Sequence, residues 1–431
     1  MSGQRTVGRR SPAVASPGVA LLVDLTPLRA SRDFRLLWSG QAVSFVGTTV
    51  TTAALPYQVF QETRSSVAVG LLGLAQLVPL LVFSLYGGAL ADAIDKRRLL
   101  RIVNVVSMAC AGVLAANAAL DHPQVWLLFV IGAASSASMA VTYPTSRSLL
   151  PLLLDPELRP AGYALQSTYG SFGMMAGPAL AGALIGAFGL TTAYLIDVGT
   201  YVVALVIYTM LSPAPPVAGA ARASKASVLE GLRFLRGHSV IMSVFAIDLL
   251  AMVFGMPRAL FPALSEQLGG GPALYGLLLS AVAAGAFLAS IGSGWTGAVR
   301  RQGRAIIVAV AVWGAAVTVA GLLTAAVPVL LLLVVAGAAD MISGVFRSAV
   351  AADVTPDELR GRVSGVEIAV YAGGPVLGDV EAGVVGGLLG VRFAIVSGGL
   401  ACVAGAVAFA TLVPSFARYV RHRNVVEVRP G

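Results

Sequence analysis

The residues of this chain that could do chemistry are a few charges set inside long apolar runs. Asp248 lies in the run 240–261, with Arg258 near its end. Asp340 and Arg347 lie in 328–350, and Glu367, Asp379 and Glu381 lie in 363–389. An ionisable group in a bilayer interior is costly unless it is paired or wetted, so such groups are candidates for holding a proton, an ion or a substrate. Asp340 and Arg347 are seven residues apart, two helical turns, so they share one face and can form a charged network. Each group also has a plainer reading. Asp248 and Asp340 fit a structural ion pair as well as a coupling role. Arg147, Arg347 and Glu367 lie close to span ends, where structural pairing is the simpler reading. For Arg258, an outer-end side chain reaching to the interface is the simpler reading.

The elements that must position these groups follow from composition. Of 431 residues, 57% are hydrophobic and 11% are charged. Soluble domains carry roughly 25% charged residues, so there is too little polar surface here for a water-facing exterior. A bilayer span needs about 20 mostly apolar residues. Twelve such stretches occur, near 36–60, 67–91, 99–120, 125–150, 162–188, 191–211, 240–261, 273–295, 305–327, 328–350, 363–389 and 392–413. Tight breaks fall at Gly189–Leu190, Val327–Pro328 and Gly390–Val391.

Charge supplies an independent count. The chain has 27 Arg and 2 Lys, and a net charge of +9. The basic residues cluster in both tails and in every second connection, as the positive-inside rule requires. Two basic tails and a basic central connection demand an even number of crossings in each half. The expectation is therefore an all-α integral membrane protein with twelve transmembrane helices in two pseudo-symmetric six-helix halves. Its parts are a cytoplasmic tail 1–33, a first half 34–211, a cytoplasmic linker 212–239, a second half 240–414 and a cytoplasmic tail 415–431. A short amphipathic segment, Leu28–Leu37, leads into the first span. The location is the cytoplasmic membrane, with both termini inside.

An internal repeat supports the division. Arg147-Ser148 followed by Asp155-Pro156-Glu157-Leu158-Arg159 closes the fourth span. Arg347-Ser348 followed by Thr355-Pro356-Asp357-Glu358-Leu359-Arg360 closes the tenth, with the same Arg-to-Pro spacing. The next spans each carry a Gly-Pro pair, Gly177-Pro178 and Gly374-Pro375. Halves repeated in this way are what a rocking transporter is built from.

Other classes fail on particular residues. The only lysines are Lys96 and Lys225, so no phosphate-binding lysine motif exists. Gly292-Ser293-Gly294-Trp295-Thr296-Gly297 has dinucleotide-loop spacing, but it ends a membrane span and no strand precedes it. The three His are scattered, and Cys110 and Cys402 sit in apolar runs, so neither type marks a metal site or a disulfide framework. The expectation is no enzymatic activity, no catalytic residue, no cofactor, no metal and no nucleic-acid partner.

Two motifs identify a family. After the second span comes Gly87-Gly88-Ala89-Leu90-Ala91-Asp92-Ala93-Ile94-Asp95-Lys96-Arg97-Arg98. It resembles the cytoplasmic signature of the major facilitator superfamily, departing from it at Ala93 and Asp95. Physically it reads as a latch between halves. Asp92 can cap the positive N-terminal end of the eleventh span. Lys96, Arg97 and Arg98 can pair with acids nearby, and Gly88 permits close helix approach. The plainer reading is an ordinary positive-inside loop. The second motif, Gly173-Met174-Met175-Ala176-Gly177-Pro178-Ala179-Leu180-Ala181-Gly182, resembles the glycine-proline signature of antiporters in that superfamily. Generic helix packing is its alternative. Tyr143-Pro144-Thr145-Ser146-Arg147, Met256-Pro257-Arg258 and Gly374-Pro375-Val376-Leu377-Gly378-Asp379 are similar to the bacterial branch that holds the enterobactin exporter and macrolide-efflux-like permeases.

That resemblance covers roughly residues 32–414. It implies the major facilitator fold, a central cavity lined by spans 1, 4, 7 and 10, and export of a small amphiphilic molecule, a siderophore or a drug-like compound. It also implies alternating access with protons as coupling ion, in a monomer embedded in lipid. An Arg early in the fourth span, common among proton-coupled members, is missing, which leaves Asp248, Asp340 and Asp379 as coupling candidates. Arg347 and Arg258 are the cationic candidates. Phe45, Tyr57, Met139, Tyr143, Met252 and Phe254 would suit a partly apolar ligand. An uptake permease of the same fold and a membrane receptor or assembly protein that does not transport are the alternatives.

Overall fold

A chain without water around it must satisfy its backbone internally, and helices do so within one segment. The computed structural model of the protein describes residues 24–213, 238–356 and 359–420, and among them every regular element is helical. Within those ranges the side chains at 85, 87–89, 91, 92, 360–362, 364, 365, 368 and 369 are not described. The long helices are α1 (Arg32–Thr63), α2 (Ser66–Ala93), α3 (Lys96–Ala118), α4 (Val125–Leu153), α5 (Arg159–Thr209), α6 (Ser239–Gly255), α7 (Gly271–Ile291), α8 (Gln302–Leu322), α9 (Ala326–Val354), α10 (Arg360–Leu389) and α11 (Val391–Leu412). Nine helices among the described residues are long and apolar enough to cross a membrane, so the chain is a multi-pass membrane protein.

Polar caps start several of these helices. Ser31 accepts from the Phe34 amide, Ser65 from Ala68 and Asp95 from Arg98, each satisfying an N-terminal N–H that the helix leaves open. The amphipathic segment expected over Leu28–Leu37 is therefore broken. A short helix Thr26–Ala30 ends before Ser31, and α1 begins at Arg32.

Two glycines make the tight turns. The stretch labelled α5, Arg159–Thr209, is two helical legs, because Gly189 sits at φ 82°, ψ 170° and breaks the helix between them. Gly390 sits at φ 97°, ψ 151° between α10 and α11. Both conformations are closed to residues with a Cβ. They stand at corresponding places in the two halves of the chain, as the repeat requires. The stretch read as span 240–261 also differs from a single helix. α6 stops at Gly255, Pro257 interrupts it, and a 3-10 turn Arg258–Leu260 leads into a short helix Phe261–Gln267.

Packing divides the helices into two groups. α1 packs on α5, α2 on α4, and α3 on both α4 and α5. In the second group α7 and α8 pack on α9, α11 on α8, and α6 on α10 and α11. The groups meet through α5 against α7 and α2 against α10. Glycine makes these approaches possible. A Cβ at Gly182 would strike the Pro272 carbonyl, and one at Gly276 would strike the Pro178 carbonyl. Gly70 rests on the backbone of Asp379 and Val380, and Gly383 on that of Ser66. All four contacts lie toward the end of the molecule distant from the described termini, hereafter the distal side. Tyr275 adds an O–H bond to the Ala53 carbonyl at 2.9 Å, and Arg64 meets Glu266 at 2.7 Å. The distal side is thus drawn together across the two groups.

This closure makes a testable demand. Gly276→Val should leave helix content unchanged by circular dichroism. It should also raise severalfold the rate at which a cysteine at Ser280→Cys reacts with a membrane-impermeant maleimide applied on the distal side. Cys110 and Cys402 would be replaced by Ser for this measurement. Unchanged protection would mean that the closure does not rest on the glycine contact.

Candidate functional site

α6 and α9 bring the central charges together. Arg347, on the last third of α9, points inward and is only 4% exposed. Its Nη1 lies 2.7 Å from Asp248 Oδ1 on α6, and its Nη2 lies 3.7 Å from Asp340 Oδ1 two turns back along α9. Nη1 also donates to Ser343 Oγ at 3.0 Å. The Tyr371 ring of α10 lies 6.0 Å from the guanidinium carbon, a cation–π contact. Asp248 is buried as well, and its Oδ1 has no aligned donor among the described residues despite the short ion-pair distance. One guanidinium therefore faces two carboxylates. The acids are only partly served by it, which is the condition under which a proton or a cationic group is taken up.

Asp379 and Arg258, from the same candidate set, sit elsewhere. Arg258 Nη2 lies 2.8 Å from Asp379 Oδ2, and the Ala259 amide donates to Asp379 Oδ1 at 3.0 Å. Arg258 is thus half of an ion pair rather than a side chain reaching alone to the interface. Asp379 uses both oxygens to pin the turn after α6 onto α10. Its placement at the distal closure, against Gly70, makes it part of that joint.

The glycine-proline segment of α5 has a resolved packing role. A Cβ at Gly173 would enter the Phe45 ring and one at Gly177 would strike Thr49, so both glycines admit α1 side chains. Pro178 and Gly182 face α7 across the group boundary. Of the latch residues, Gly88 and Asp92 fall within α2, but their side-chain surroundings lie outside the described residues. Lys96 is buried with its Nζ unbonded among the described residues. Arg97 donates from Nε to the Tyr208 carbonyl at 3.3 Å and from Nη2 to the Thr209 carbonyl. These are terminal carbonyls of α5, which a cation satisfies well. Arg98 gives its backbone amide to Asp95. Arg97 thus ties α3 to α5 inside its own group.

A second buried acid, Asp197 on the second leg of α5, was missed by sequence reading. It accepts from Thr51 Oγ1 at 2.5 Å and from Thr200 Oγ1 at 3.2 Å, with Gly47 of α1 leaving room for it. The signal was present as a carboxylate within an apolar span. Its hydroxyl partners lie far away in sequence, so their meeting was not. A separate recess of about 600 Å³ lies between Ser31–Asp33, Pro151–Asp155 and Arg159, and holds none of the candidate residues.

The model of the transmembrane secretion effector family, a branch of the major facilitator superfamily, matches residues 23–421. The chain belongs to that family. It is a membrane transport protein and not an enzyme. The multidrug efflux pump Tap of Mycolicibacterium fortuitum is 28% identical, over 78% of this chain and 85% of that protein. The enterobactin exporter EntS of Citrobacter koseri is 26% identical, over 85% and 88%. The solved structure of the nucleoside transporter NupG superposes with a TM-score of 0.73 at 12% identity, over 89% of this chain and 99% of that one, a likeness of fold.

The charge cluster predicts a stability effect. Arg347→Gln leaves Asp248 buried without a cation, and breaking a buried pair in this way costs about 3–5 kcal/mol. The thermal midpoint in detergent should fall clearly, and Asp248→Asn in the same chain should recover part of the loss. A wild-type midpoint for Arg347→Gln would refute a structural pair.

Proposed function

We propose that this secretion effector exports a small amphiphilic molecule, a siderophore or a drug-like compound, across the cytoplasmic membrane in exchange for protons. The observation that carries the reading is Arg347 set between Asp248 and Asp340, with one buried cation serving two acids. A site with a surplus carboxylate can bind a proton in one conformation and release it in another, and that alternation is what an antiporter requires. Tap is an efflux pump and EntS an exporter, and both support the outward direction.

In this reading the chain crosses the bilayer twelve times. The halves 34–211 and 240–414 rock about the distal joint, the 212–239 linker and both tails stay in the cytoplasm, and a monomer suffices. The distal side drawn together by Gly182 and Gly276 is then the outer gate. Asp92, at the cytoplasmic end of α2, fastens the inner side when the outer one opens. Asp379 serves the outer joint, which leaves Asp340 and Asp248 as the coupling pair.

Two flux experiments in proteoliposomes test this. Asp340→Asn should flatten the dependence of transport on an imposed pH gradient while binding persists. An unchanged profile would remove Asp340 from coupling. Asp92→Asn should lower turnover severalfold with insertion and folding intact, and wild-type flux would remove the latch. Absence of flux for every siderophore and drug-like probe under a pH gradient would sink the export reading itself.

A further inference from the structure

Arg147 and Arg347 occupy matching places in the repeat, yet their surroundings are opposite. Arg347 is buried and faces two carboxylates. Arg147 is exposed, and among the described residues no carboxylate lies within ion-pair distance of it. Two tyrosines hold it instead. Its guanidinium carbon lies 5.4 Å from the Tyr143 ring centroid and 5.9 Å from that of Tyr163. Tyr143 comes from the preceding turn of α4 and Tyr163 from the first turns of α5.

Geometry decides what such an arrangement binds. A guanidinium carries its five N–H donors around the edge of its plane, and aromatic rings occupy its faces. Rings hold the group without consuming its donors, so a bidentate edge stays open to an anion. Met139, Tyr143 and Arg147 recur every four residues and form one exposed stripe of α4. Trp126 and Val130, also exposed, lie roughly 120° around the helix from Tyr143, so the exposed surface of α4 extends beyond this stripe. The stripe with Arg147 is the one that the repeat matches to Arg347, which points into the interior between α6 and α9. More aromatic surface adjoins it: Tyr169 of α5 stands at 5.8 Å from Phe45 and 6.2 Å from Trp38.

We propose that Arg147, clamped by Tyr143 and Tyr163, is the recognition point for an anionic group on an aromatic substrate. The carboxylate, sulfonate or phenolate takes the guanidinium edge, and the ring system packs on the exposed tyrosines. The first half then selects the negative end of the cargo, and the acid-rich second half keeps its charges for coupling. This assignment deepens the export reading above and rests on it.

The test uses the purified full chain in detergent and calorimetric titration with three probes of one body: 2-naphthoate, 2-naphthylmethylammonium and 2-naphthalenemethanol. Wild type should prefer naphthoate to the other two by about tenfold, the scale of a charge-assisted bidentate contact. Arg147→Gln should abolish that preference while binding of the other two stays unchanged, and Arg147→Lys should recover part of it. Loss of all three together would show a structural role and overturn the proposal, as would wild type without a charge preference. A lipid phosphate shares the same chemistry, so the titration is repeated with phosphatidylglycerol added. Persistence of the naphthoate preference supports a substrate site, whereas its disappearance assigns the edge to lipid and overturns the proposal. Binding is read without flux. Charge selectivity with no transport would therefore count against export alone, and transport with no selectivity against this site alone.

Discussion

A guanidinium inside a bilayer must keep a carboxylate beside it, and that requirement organises the second half of this molecule. Arg347 draws Asp248 from α6 and Asp340 from its own helix, so α6 and α9 are registered by charge as well as by apolar packing. Isolated charges would be expelled from this environment, whereas partly compensated ones can be held. The balance of one cation to two acids keeps the site short of closed-shell pairing. A fully paired cluster would be inert, and an unpaired one would not stay folded. The registration of α6 on α9 and the surplus of negative charge at their junction therefore come from the same three side chains.

The distal joint follows a complementary logic. With lipid on the outside there is little hydrophobic drive between helices, so close backbone approach has to supply the attraction. Gly182 and Gly276 accept each other's backbones, and Gly70 and Gly383 do the same between α2 and α10. Polar additions then fix register: Tyr275 to the Ala53 carbonyl, Arg64 to Glu266, and Asp379 to Arg258 and the Ala259 amide. Each ties a turn or helix end on this side, where a few contacts can be broken and remade without unfolding a helix.

The membrane character and the repeat were legible because they are local. Apolar runs, one-sided arginines and the spacing from Arg147 to Pro156 and from Arg347 to Pro356 are read along the chain. So were the breaks at Gly189 and Gly390, whose left-handed backbone only glycine tolerates. Partnership was not legible. That Arg347 meets both Asp248 and Asp340, and that Arg258 meets Asp379 instead of the interface, depends on how helices distant in sequence rotate toward one another. Asp197 is the clearest case. Its acid is visible in the sixth span, but Thr51 lies in the first, and only the packing of α1 on α5 joins them. The break after Gly255 was missed for another reason: the run is apolar enough to read as one span, although Pro257 near its end is a helix breaker.

Matched positions in the two halves carry matched residues, yet the surroundings of those residues differ. The turn glycines did not diverge, because backbone geometry offers no substitute. The arginines did. Around Arg347 the second half has Asp248, Asp340 and Tyr371, so the charge is spent within the protein. Around Arg147 the first half has Tyr143 and Tyr163, which steady a cation without neutralising it. Among the described residues no carboxylate answers that exposed cation. The uneven surroundings of two matched arginines thus give the halves different electrostatics: one keeps its guanidinium buried between carboxylates, and the other leaves it exposed beside two rings.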